Sequence, residues 1–147
     1  MTIASSAEVE SEIRAIMKAR VDAVHAKDAA RPVAHHASDV VAYDLLEPLQ
    51  YTGVNGLRER ARQWFDGYDG LMTYEIRDLA VVSSHDVAFS YGLHHVVGTT
   101  KAGQKIDMWW RATQGFRRID GKWRIVHEHG SVPFDMANGR VSFDLRP

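Results

Sequence analysis

The stretch from Gln104 to Val132, QKIDMWWRATQGFRRIDGKWRIVHEHGSV, decides how the chain is read. Two runs rich in aromatic and β-branched residues flank Asp120-Gly121. Asp-Gly between such runs predicts a tight β-hairpin, because a type I′ turn needs positive φ at both central residues. The first arm carries Trp109, Trp110 and Phe116. The second carries Trp123, Ile125 and Val126, then the polar run His127-Glu128-His129. A hairpin with an apolar body and an ionisable end suits a sheet that builds a core and also lines a pocket.

Upstream, Thr73 to Val82 and Val87 to Thr99 read as two more long strands, with turns at Ser83-Ser84-His85-Asp86 and Lys101-Ala102-Gly103. Earlier still the period changes. Val9, Ile13, Ile16, Met17, Val21 and Val24 recur at helical spacing down to about Lys27. Ser5 and Glu8 have capping-box spacing at the start of that helix. Pro32 opens a short second helix, Pro32 to Ala37. Val40 to Tyr43 forms a short strand ending at Asp44, and Leu45 to Gly53 is a loop. Asn55 caps a third helix, about Gly56 to Asp66, whose inner face is Leu57, Ala61, Trp64, Phe65 and Tyr68. Pro133 ends the last strand, and Val141 and Phe143 in the tail add a short edge strand. Helices first and antiparallel strands after predict an α+β fold. About three N-terminal helices pack on the concave face of a curved antiparallel sheet, in one domain spanning residues 1–147.

The chain has 147 residues, 45% hydrophobic and 25% charged, with a net charge of −1 and no cysteine. That length supports a sizeable core. The charge balance gives no attraction to nucleic acid or an anionic membrane, so neither is expected as a partner. Without cysteine there are no disulfides, thiolate nucleophiles or cysteine-based zinc sites. The opening MTIASSAEVESE lacks the basic and apolar regions of a signal peptide, and no segment has the length of a membrane span. The expected location is the cytoplasm.

Strand parity sorts the side chains. On Val87 to Val97 the bulky set Val87, Phe89, Tyr91, Leu93 is assigned to the concave face, and Ala88, Ser90, Gly92, His94 to the other. On the hairpin, Met108, Trp110, Ala112 and Gln114 oppose Asp107, Trp109, Arg111 and Thr113. On the last strand, Arg124, Val126 and Glu128 oppose Trp123, Ile125, His127 and His129. A bulge at Gly115 would exchange parity beyond it. Large side chains on both faces predict that a second copy covers the outer one, giving a homodimer joined sheet to sheet.

VVAYDLLEPLQYTG (Val40 to Gly53), IRDLAVVSSHDVAFSYGL (Ile76 to Leu93), KIDMWWRAT (Lys105 to Thr113) and GFRRIDGKWRIVHEHGSVPFD (Gly115 to Asp135) resemble the nuclear-transport-factor-2-like superfamily. The match is to its SnoaL-like, ketosteroid-isomerase-homologue branch, over nearly the whole chain. The tail Gly139 to Pro147 is similar to that branch as well. The last hairpin also resembles the association domain of calcium/calmodulin-dependent kinases. The resemblance implies a cone-shaped α+β barrel with a pocket at its open end, commonly dimeric. It places Asp44 where ketosteroid isomerases hold their catalytic base. Their acidic oxyanion donor would fall near Gln114 or Gly115, neither of them acidic. Their donor tyrosine comes from the first helix, which here contains no tyrosine.

The candidate catalytic residues are Asp44, Glu128 and Tyr91. Asp44 as a general base needs an apolar surrounding; otherwise it caps a turn. Glu128 either faces the pocket as a second carboxyl with a split pKa or pairs with Arg111 or Arg124. The Tyr91 hydroxyl is a donor or acid. Trp64, Phe89, Trp110 and Gln114 would line the site for a hydrophobic small molecule. His127 and His129, two apart on a strand, have a spacing that suits a metal, but hydrogen bonding across a dimer interface is preferred, so neither metal nor cofactor is expected. The expected function is cofactor-free acid–base chemistry of isomerase, dehydratase or cyclase type. The alternative is a non-catalytic ligand-binding or assembly module.

Overall fold

The computed structural model describes residues 4–147. Helix α1 (Ser6–Ala26) begins where the capping box places it. The Glu8 N–H donates to Ser5 Oγ at 3.2 Å, and the Ser5 N–H donates to Glu8 Oε2 at 2.7 Å. The apolar stripe Val9, Ile13, Ile16, Met17 and Val24 is buried, and Lys27 ends the helix at φ 51°.

The expected second helix is only a 3-10 turn, Arg31–Val33. Strand β1 (His36–Tyr43) starts too soon for more. His35 O already accepts from the Ile125 N–H at 2.9 Å, and His36 is in register with Ile125. Backbone committed to a ladder cannot also close helical turns. Strand β2 (Tyr51–Thr52) leads into helix α2 (Val54–Asp66). Its cap is Gly53, at φ 86°, and not Asn55. The Gly53 N–H is held by Val40 O at 2.7 Å, which fixes the entry, and Asn55 instead accepts from Arg58. Among the described residues there are thus two α-helices where about three were expected.

Strands β3 (Tyr68–Ser84), β4 (Val87–Thr100), β5 (Lys105–Ile119) and β6 (Lys122–Ser131) complete one six-stranded sheet of order β2-β1-β6-β5-β4-β3. Asp120 and Gly121 sit at φ 51° and 76°, as the Asp-Gly signal requires. All neighbours are antiparallel except β1 and β6, which run parallel. A parallel pair needs a long connection, supplied here by α2 and the intervening meander. The sheet is curved but open, with β2 and β3 at its edges, so it is not the closed barrel the resemblance implied.

Register shifts bend it. On β3 the register shifts between Arg77 and Ala80, where Asp78 has φ 56°. On the last hairpin Gly115 pairs with His127 and Phe116 with Ile125, so Val126 is the extra residue. The bulge therefore lies on β6, opposite Gly115.

Two apolar clusters fill the concave side. Val9, Ile13 and Met17 of α1 pack on Ala88, Phe116, Trp123 and Ile125. Val24 packs with Phe65, Tyr68, Met72, Tyr74 and Val96. Between them the inner positions of β5 are Ala112 and Gln114, and Ala112 pairs with Gly130. The small Ala112 and Gly130 leave a hollow where larger side chains would close the core.

The face assigned to β4 is corrected. Ala88, Ser90, His94 and Val96 are the buried set, while Phe89 is 43% and Tyr91 49% exposed. The concave face lies under α1, and on it Ala88 is in register with the bulky Phe116 of β5, so only small side chains fit at 88 and 90. Size alone misled the parity choice.

Candidate active site

The hollow has a volume of about 630 Å³ and lies between α1, α2 and the inner face of the sheet. Leu45 and Leu46 after β1 line it, as do Val141 and Phe143 of the tail. The tail forms a single bridge, Phe134 to Val141, and not the edge strand expected there. It is tied to β5 by Arg146 Nη1, 2.6 Å from Asp107 Oδ1, and Asp107 also meets His95 Nε2 at 2.6 Å.

Two polar groups stand at the hollow. One is a buried cluster built from α1, β1, β3, β4, β5 and β6. Arg20 Nη2 donates to Glu128 Oε1. His36 Nε2 lies 3.0 Å from Glu128 Oε2, but out of line, so neither ring nitrogen makes a hydrogen bond among the described residues. The Tyr74 hydroxyl meets His94 Nδ1 in a short contact. His94 is 1% exposed and its Nε2 has no partner among the described residues. Ser90 Oγ donates to Gln114 Oε1 at 2.9 Å. The other group is an ion pair at the end of β1. Arg60 Nε donates to Asp44 Oδ2 at 2.8 Å, and the Leu45 N–H donates to Asp44 Oδ1 at 2.6 Å.

The electrostatics follow from burial and pairing. Burial pushes the Glu128 carboxyl up, but Arg20 and then His36 outweigh it and hold it below the usual carboxylate range. Burial lowers His94 to about 3, with Arg20 adding to the effect and Glu128 opposing it, so the imidazole is neutral at pH 7. Burial also raises Tyr74, which keeps its proton.

Asp44, Glu128, Trp64, Trp110 and Gln114 all line the hollow. Tyr91 and Phe89 do not. Their rings stack on each other on the outer face, with centroids 6.2 Å apart. Glu128 faces inward because of the bulge: Trp123, Ile125 and Glu128 share a face despite their numbering. It pairs with Arg20 and not with Arg111 or Arg124. His127 and His129 cluster with Tyr43, and His127 Nδ1 donates to Val41 O at 2.7 Å. No group of three metal-binding side chains occurs among the described residues.

Sequence reasoning missed Arg20, His36, Arg60, Tyr74 and His94. One signal existed for Arg20. It stands three residues after Met17 and four before Val24, a charge on the buried stripe of α1. Arg60 carries the same signal on α2, three residues after Leu57 and four before Trp64, while His36, Tyr74 and His94 depend on pairing between distant strands.

A curved open sheet with helices across its concave side and a hollow between them is the nuclear-transport-factor-2-like architecture. The model of the SnoaL-like domain matches residues 13–135. The chain belongs to this family, in the SnoaL and ketosteroid-isomerase branch of the superfamily. A nuclear-transport-factor-2-like protein of unknown function from Pseudomonas putida is 32% identical, with 98% of this chain and all of that one covered at a TM-score of 0.87. A ketosteroid isomerase-like protein from Erwinia carotovora is 24% identical, covering 82% of this chain and 93% of that one at a TM-score of 0.70. A superfamily protein from Salmonella enterica is 17% identical, covering 92% and 98% at a TM-score of 0.79. The last two share the fold. No curated protein matches. Among the described residues no helix is long and apolar enough to cross a membrane.

Proposed function

We propose that the hollow binds a hydrophobic small molecule and catalyses cofactor-free proton transfer on it, of the kind used in isomerisation or dehydration. The observation that carries this reading is the unpartnered, buried Nε2 of His94 on the wall of the cavity. Tyr74 uses its single hydroxyl proton best by donating to Nδ1, which leaves the hydrogen of the neutral imidazole on Nε2. That N–H is a donor for a substrate oxygen. An imidazole that stays neutral down to about pH 3 is a poor base, while its Nε2–H remains a donor for a developing oxyanion. Asp44 is the candidate base: it takes a proton from carbon, and the charge moves to the oxygen held by His94. Asp44 then returns the proton either to another carbon or to a hydroxyl beta to the carbonyl, whose C–O bond breaks as the charge flows back and water leaves. Trp64, Trp110 and Gln114 hold the body of the ligand.

The test needs no knowledge of the pathway. Cyclic ketones are incubated with the protein in D2O and followed by mass spectrometry. Enzyme-dependent deuterium uptake next to the carbonyl is expected, and Ala112→Phe, which fills the hollow, should abolish it. Ketones that bind without exchanging or losing water would remove the catalytic reading and leave the ligand-binding alternative.

The outer sheet face supports a homodimer as the quaternary state. Phe89, Tyr91 and Val97 are exposed there. Beside them His95 stacks on Trp109 at 4.1 Å, with Arg77 over the same indole at 4.6 Å. Such a patch suits a second copy. Sedimentation should give a dimer that Tyr91→Asp converts to monomer; a monomeric wild type at micromolar concentration sinks the idea.

A further inference from the structure

We infer that Arg60 is an anion-binding group and that the ligand of the hollow carries a carboxylate at the end Arg60 lines; this rests on the ligand-pocket reading above. Arg60 is on the cavity wall, its side chain 19% exposed. Only its Nε is engaged, by Asp44 Oδ2. The other Asp44 oxygen is taken by the Leu45 N–H, so the two groups do not meet fork to fork. The Nη groups make no hydrogen bond with any described residue, which leaves most of the donors of a permanent cation open.

Its place on α2 sets it apart from its neighbours. Arg58 bonds Asn55, and Arg62 bonds Glu59 and Asp66, all on the solvated side. Arg60 instead follows Leu57 by three residues and precedes Trp64 by four, on the face toward the hollow. An arginine among apolar side chains loses hydration, and that loss is recovered when its planar fork meets a carboxylate. Arg20, the other arginine at the cavity, spends the end of its fork on Glu128, Nη2 donating to Oε1, with His36 against the second oxygen of that carboxylate, whereas Arg60 keeps both Nη groups open. Arg20 with Glu128 and Arg60 with Asp44 each balance in charge, so an incoming monoanion is drawn by the free Nη donors of Arg60 and opposed by Asp44. The ligand class is a flat, apolar carboxylic acid with a second oxygen for His94.

Titration calorimetry with 2-naphthoate and 2-naphthamide isolates the carboxylate on one ring system. Wild-type protein should bind the acid about tenfold to a hundredfold more tightly than the amide. Arg60→Gln should bring the two together, and Arg60→Lys should keep part of the preference. Asp44→Asn should tighten the acid alone. Equal affinities in the wild type would overturn the anion site and leave the pocket standing. No binding of either compound would overturn both. The wild-type ratio decides the matter even where a variant fails to fold.

Discussion

Replacing Glu128 with alanine is expected to lower the unfolding free energy by about 3 kcal/mol. The substitution strands Arg20, whose guanidinium is buried beneath α1 and finds its carboxylate only on β6, 108 residues away in sequence. A buried charge that loses its partner costs more than the pair contributes, because its hydration is not restored. The hollow tempers this, since water entering it reaches the 18% of the Glu128 side chain that is exposed. Glu128→Gln keeps an acceptor for Arg20 and should lose less. Arg20→Met with Glu128→Met removes both charges and should recover most of the loss. Urea denaturation of the four proteins measures these effects, and a single variant as stable as wild type would show that the pair does not hold the helix to the sheet.

The same cluster sets the acid limit of stability. Glu128 is lowered on folding from 4.5, so its contribution is complete above that pH and is lost as pH falls below it. His94 is lowered from 6.5 to about 3, so the folded state increasingly resists protonation as pH drops through that window. Both effects have one sign. Stability should begin to fall below about pH 6.5 and fall more steeply below about 4.5. His94→Phe should flatten the upper part of that curve.

His94→Phe is also expected to lower turnover about a hundredfold to a thousandfold on any ketone that the exchange assay identifies. Phenylalanine fills the site and keeps the ring against Trp110, whose centroid lies 5.6 Å from that of His94. What it removes is the donor at Nε2. The loss should therefore appear in kcat, with ligand affinity changed far less. His94→Gln offers an amide N–H and should restore part of the rate. Tyr74→Phe leaves the imidazole in place but frees its tautomer and orientation, so a smaller loss is expected. Undiminished kcat in His94→Phe would remove His94 as the oxyanion donor.

Local chemistry determined much of this fold. The hairpin at Asp120-Gly121, the capping box at Ser5 and Glu8, and the apolar stripe of α1 are each set within a few neighbouring residues, and all formed as read. The resemblance implied the place of Asp44, and the inner face of α2 gave that of Trp64; both line the hollow. The rest required partners far apart in sequence. One unpaired residue, Val126, turns Glu128 inward, and no local signal on β6 marks that position. The volume left beneath α1 decided which face of β4 is buried, sending Tyr91 out and His94 in. The sequence by itself settled the order of the main elements, the start of α1 and the last hairpin turn, because those are contests among adjacent backbone groups. Only the tertiary structure settled which ionisable groups meet, because that depends on register and on the space opposing elements leave.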